Sequence, residues 1–111
     1  MKQKKRKEVK EMNHSIIANL LTIITEFARD SHCEYLTSQV RVTPRVTTGM
    51  LFGLCDHTEI IDLYLEEGSD TISIVLRDDK FNKIATHKVS VHDANHYPYR
   101  AIEHMWLRFY S

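Results

Sequence analysis

Residues 60–77 read IIDLYLEEGSDTISIVLR, and their spacing decides the fold. Ile61, Leu63 and Leu65 alternate with Asp62, Tyr64 and Glu66, and Ile72, Ile74 and Leu76 alternate with Ser73, Val75 and Arg77. Successive side chains of a strand point to opposite faces, so each run reads as a strand with one apolar face. Gly68 lies between them, where a tight turn suits a residue free to take positive φ. Strands joined by so short a turn pair antiparallel.

Downstream, Asp78-Asp79-Lys80 turns the chain again, and residues 83–91 alternate once more, with His87, Val89 and Val91 on one face and Thr86, Lys88 and Ser90 on the other. Upstream, from Tyr35, Leu36, Val40, Val42 and Val46 share one parity and Gln39, Arg41, Thr43 and Arg45 the other. Pro44 cannot donate to a sheet ladder, so this strand is an edge or is broken there. Thr48-Gly49 is expected to turn, residues 50–55 to form a further short strand, and Asp56-His57-Thr58 to turn again.

The ends of the chain have the helical period instead. Ile16, Leu20, Leu21, Ile23, Ile24 and Phe27 recur at spacings of three and four, while Asn19, Thr22 and Glu26 fall on the other side. This predicts a helix over residues 13–29. Val9 and Met12 continue the spacing upstream, which would start the helix earlier. The last helix is expected from Pro98, whose fixed φ and missing N–H suit a first helical position. Tyr99, Ile102, Met105, Trp106 and Phe109 form its apolar stripe, with Trp106 expected to anchor it on the sheet. The implied fold class is α+β: a two-layer sandwich in α-β(4–5)-α order, an antiparallel meander with the N- and C-terminal helices on one face.

The chain has 111 residues, 42% hydrophobic and 27% charged, with three glycines and two prolines, as expected of one packed domain rather than a disordered linker. Its net charge of zero conceals an asymmetry: residues 1–10 hold six basic residues against one acidic, and the rest hold nine against fourteen. We therefore divide the chain into a basic arm, 1–10, and a single domain, 11–111. Apolar runs are too short for a membrane span, and the basic start lacks the apolar stretch of a signal peptide. The expectation is a soluble intracellular protein, nuclear if the basic run acts as an import signal. Cys33 and Cys55 make no disulfide framework and no Cys-x-x-Cys knuckle, and are read as reduced thiols.

Several residue groups invite chemistry. His92, Asp93 and His96 offer a His-x-x-x-His spacing, which converges two imidazoles on a metal only within a helix; Pro98 disfavours helix just before itself, and Asp93 reads equally as a turn or cap residue. Cys55 and His57 project from one face of a strand, but no orienting group or oxyanion donor accompanies them. Glu66-Glu67 and Asp78-Asp79 are adjacent acids in turns, where they face water rather than a cleft with separated pKa values. Gly49-x-x-x-Gly53 lacks the Gly-Lys-Ser/Thr of a phosphate loop. No catalytic residue, metal site or cofactor is assigned.

Two binding readings remain. Lys4, Lys5, Arg6 and Lys7 can neutralise nucleic-acid phosphates, without an interleaved aromatic for base stacking. The sheet face opposite the helices carries Asp62, Tyr64, Glu66, Val75 and Arg77, with Arg41 and Arg45 on the edge strand; its mixed charges and apolar anchors suit a protein partner. The leading expectation is a non-enzymatic interaction domain, acting as adaptor, inhibitor or accessory subunit, with a homodimer compatible with it. Nucleic-acid association through the arm is the alternative, and a small histidine-dependent enzyme or metal-binding protein the third.

Overall fold

The computed structural model describes residues 2–30, 36–37, 41–42, 46–52, 59–66 and 68–110, with side-chain surroundings for 13–30, 59–66 and 68–110. In chain order its elements are α1 (Lys2–Asp30), β1 (Leu36–Thr37), β2 (Arg41–Val42), β3 (Val46–Phe52), β4 (Ile60–Glu66), β5 (Thr71–Arg77), β6 (Lys83–Ser90), α2 (Val91–His96) and α3 (Pro98–Tyr110). The fold is α+β, built on an antiparallel sheet.

Helix α1 starts well before residue 13 because the basic run is made of Lys, Gln, Arg and Glu, whose straight side chains lose little freedom in a helix. Its periodic positions Ile16, Leu20, Leu21, Ile23 and Ile24 are buried, and Asn19, Thr22 and Glu26 are exposed, as the spacing predicts. The β-branched residues Thr22 and Thr25 satisfy their hydroxyls by donating to the carbonyls of Ala18 and Leu21, at 3.1 and 2.8 Å.

The stretch 60–77 folds as its alternation requires. β4 pairs antiparallel with β5, Leu63 opposite Ile74, and β5 pairs antiparallel with β6, Ile74 opposite His87. Gly68 takes a φ of 82° in the first turn, and the Ser69 N–H donates to the Glu66 carbonyl at 3.0 Å. On the other side β3 pairs with β4, and the two-residue strands β1 and β2 pair with β3. Gly49 therefore lies inside β3 and not in a turn, a correction to the reading of Thr48-Gly49. One isolated glycine between strand-forming neighbours does not by itself interrupt pairing.

The second hairpin is organised by Asp78. Its carboxylate accepts from the Lys80 and Asn82 N–H groups at 2.9 and 2.8 Å and from the Asn82 amide at 3.1 Å. The Asn82 N–H bond, foremost among these, holds the Asp78 carboxyl below its ordinary pKa. Asp78 is thus the scaffold of this turn, not an idle solvated acid. Phe81 completes it at a φ of 70°, unusual for a bulky residue.

β6 stops one residue earlier than its alternation suggests. Ser90 adopts an extended backbone and its hydroxyl accepts from the Asp93 N–H at 3.1 Å, capping α2, so Val91 opens a helix instead of ending a strand. Pro98 begins α3 as expected. Ile61, Leu63, Leu65, Ile72, Ile74 and Leu76 join Leu20 and Ile24 of α1 and Ile102 and Met105 of α3 in one buried cluster.

Two parts of the core differ from expectation. The outer face of the sheet is not open throughout: Asp62 is 5% exposed and Val75 fully buried, side by side across the β4–β5 ladder, with Ile60 buried nearby. Alternation assigns a face to each residue but does not decide whether that face meets water. Asp62 is accommodated there by an ion pair with Arg77, Nε to Oδ2 at 3.2 Å. Trp106, in turn, is half-buried and stacks against Phe27 of α1 and Tyr110, at ring separations of 5.8 and 4.6 Å. These rings tie α3 to α1, and the side chain packs at the margin of the cluster that includes the sheet residues.

Candidate functional site

Two depressions flank β6. The first lies on the outer face, where Tyr64, Ser73 and Lys88 stand in register across β4, β5 and β6. It is a shallow groove of about 240 Å³ whose walls include Glu66, Lys83 and Thr86. Tyr64 is half-buried in it while Glu66 and Lys88 are exposed. Of the other residues expected to contact a partner, Asp62 and Val75 are buried and so are not available on this surface. Arg77 is half-buried and committed to Asp62 and to Phe81, whose ring centre lies 4.4 Å from the guanidinium carbon. Arg41 contributes backbone to β2, but its side chain lies outside the described residues, as does Arg45 altogether.

The second depression, of about 430 Å³, separates β6 from α2 and α3. His87 and Lys88 enter it from β6, Asp93 from α2, and Arg100 and His104 from α3. His87 sits on the inward parity of β6 and is half-buried; its Nδ1 is buried without a hydrogen-bond partner among the described residues. Burial, then the positive charge of Arg108 and of His104, pushes its pKa below the ordinary 6.5. The neutral imidazole is therefore the resident form near neutrality.

A stability consequence follows with a definite sign. The unfolded chain takes up this proton near 6.5, and the folded chain only at lower pH. Between those two values the unfolded state binds more protons, so acidification favours it. Stability should therefore decline as pH falls below about 6.5, and His87→Gln should flatten that slope in urea midpoints measured across the range. An unchanged slope in the variant would place the acid sensitivity elsewhere.

Helix α3, which lends Arg100 and His104 to this cavity, carries a signal that hydrophobic periodicity passes over. Arg100, His104 and Arg108 recur every four residues, and all three are exposed on the helix. Positions four apart share a helix face, so the spacing alone places a basic stripe there.

His92 and His96 do fall within a helix, α2, and their rings stack at 4.5 Å, but both are exposed, and no group of three metal-ligating side chains exists among the described residues. Ser90, not Asp93, caps α2: the Asp93 N–H donates to the Ser90 hydroxyl, and the Asp93 carboxylate Oδ1 lies 3.3 Å from His92 Nδ1. Cys33, Cys55, His57, Gly53 and Glu67 lie outside the described residues. Lys4, Lys5, Arg6 and Lys7 contribute helical backbone to α1, with side chains outside the described set. Tyr110 donates to Glu59 at 3.4 Å, and burial pushes its hydroxyl well above the usual pKa. Among the described residues no helix is long and apolar enough to cross a membrane. No family model matches the chain, and neither curated proteins nor solved structures give a match.

Proposed function

We propose that the chain is a non-enzymatic interaction domain that binds a protein partner across the outer face of β4, β5 and β6. The observation carrying this reading is Tyr64, half-buried at the floor of a groove whose rim bears both signs of charge, Glu66 against Lys83 and Lys88. A fixed aromatic with a polar tip supplies contact area at low entropic cost, and rim charges set the partner's orientation. Among the described residues β6 ends the strand order and pairs with β5 alone, so its outer edge adjoins the groove and offers backbone groups to an extended segment.

The reading goes with a two-layer arrangement in which both long helices cover the apolar sheet face and leave the other to the partner. The cluster joining Leu20 and Ile102 to Leu63 and Ile74 supports that layering. Residues 11–111 then act as one unit, with residues 1–10 as the basic start of α1.

Tyr64→Ala should weaken the partner complex by about 2 kcal/mol, roughly thirty-fold, and leave the fold intact. The test compares wild type and variant as baits in native extract treated with nuclease, followed by titration of the retained protein. Normal binding by a folded Tyr64→Ala variant would remove the groove from the interface. Retention abolished by nuclease would favour nucleic acid and the basic run instead.

A further inference from the structure

The cavity between β6 and α3 holds more positive charge than the fold needs. Arg100, His104 and Arg108 repeat at four-residue spacing along α3, where like charges repel. Arg108 lies in the last turn, where the helix dipole favours a cation, but Arg100 lies in the first turn, where the dipole opposes one. No carboxylate among the described residues forms an ion pair with Arg100, Arg108 or Lys88, and the cavity's one acid, Asp93, is turned to His92. Two permanent cations, Lys88 and Arg100, line the cavity against one carboxylate, and Arg108, one turn further along α3, adds a third positive charge near enough to act on His87, so the surroundings favour an anion beside a His87 nitrogen that has no partner among the described residues.

We propose that this cavity binds the phosphate group of a small phosphorylated ligand, held by Arg100 and Lys88 with His104 and His87 as further donors. A phosphate monoester carries close to two negative charges near neutral pH and three acceptor oxygens, and the planar guanidinium matches two of them at once. At about 430 Å³ the cavity lies in the range of small-molecule sites and leaves room for the rest of the ester. Tyr64 and His87 belong to opposite faces of the sheet, and Lys88, on the edge strand, borders both the cavity and the partner groove.

The test is a titration of the full chain with inorganic phosphate, and separately with phenyl phosphate, at constant ionic strength made up with chloride. Imidazole NMR resonances of His87 and His104 report binding. Both should shift saturably to one site, with a dissociation constant on the order of 1 mM or tighter. A tighter constant for phenyl phosphate assigns the site to esters, and equal constants assign it to free phosphate. Arg100→Gln should weaken binding by roughly ten-fold and Arg100→Lys by less, because a lysine keeps the charge but not the fork. Lys88→Gln, on β6, provides a second position should Arg100→Gln perturb α3. Tyr64→Ala should bind phosphate as wild type does. Absence of saturation, an equal response to chloride, or unchanged affinity in folded Arg100→Gln and Lys88→Gln variants would overturn the proposal.

Discussion

Replacing Arg77 by methionine is expected to destabilise the domain by about 3 kcal/mol, because the buried Asp62 carboxylate loses a charged hydrogen-bond partner. Asp62 is 5% exposed, beside Ile60 and Val75 on its own face, and Arg77 Nε approaches its Oδ2 at 3.2 Å. A carboxylate so enclosed cannot regain by hydration what the guanidinium supplies. The pair itself is a weak source of net stability, since bringing both charges out of water offsets most of their attraction. Its removal as a unit should therefore be far milder: Asp62→Leu with Arg77→Met should recover most of the loss. Urea midpoints of the two single variants and the double variant form the cycle that checks this. A single Arg77→Met variant within about 1 kcal/mol of wild type would show the charge to be satisfied without it.

Ile102→Ala should cost about 3 kcal/mol, and more than Trp106→Ala despite the larger side chain lost at Trp106. Ile102 is fully enclosed between α1 and the sheet, where truncation leaves a cavity that rigid neighbours cannot fill. Trp106 is half-exposed and rests on Phe27 and Tyr110, aromatic rings at the margin of the core with room to settle. Equilibrium unfolding followed by circular dichroism serves both variants, since Trp106 itself is needed for fluorescence. The reverse order would mean that the aromatic group joining α1 to α3 holds the helices more strongly than the cluster beneath them.

These two contrasts mark where the sequence was informative. Period alone located α1, the three strands of residues 60–90 and α3, because Ile16 to Phe27 repeat as a helix must and Ile61 to Leu76 as strands must. Gly68 and Pro98 punctuated them for reasons internal to their own backbones. What periodicity does not encode is depth. It put Asp62 and Val75 correctly opposite Leu63 and Ile74, yet their burial depends on residues elsewhere in the chain. Trp106 likewise lay on the right stripe, but its partner Phe27 is 79 positions away. Val91 continued an alternating pattern that Ser90 ends by accepting a hydrogen bond from the Asp93 N–H, a local signal outweighed by Val89 and Val91 standing in step with His87. Parity assigned Tyr64 to the face on which the outer groove lies, but foresaw no groove. The basic stripe of Arg100, His104 and Arg108 was legible in principle and needed only the search for charge at the period used for hydrophobicity.

Phe81 gives the second hairpin an unusual dependence on the interior. Surface turns between strands ordinarily accept exchange and insertion, since little beyond their own backbone relies on them. Here the Phe81 carbonyl accepts from Arg77 Nη1 at 3.3 Å and its ring lies over the same guanidinium, so the tip of the loop roofs the charge that neutralises Asp62. Lengthening this turn, or grafting another in its place, would thus be felt on the neighbouring strand β4 as a change in the setting of a buried acid. In relatives of this chain, the identity of the tip residue and the presence of the strand ion pair should vary together.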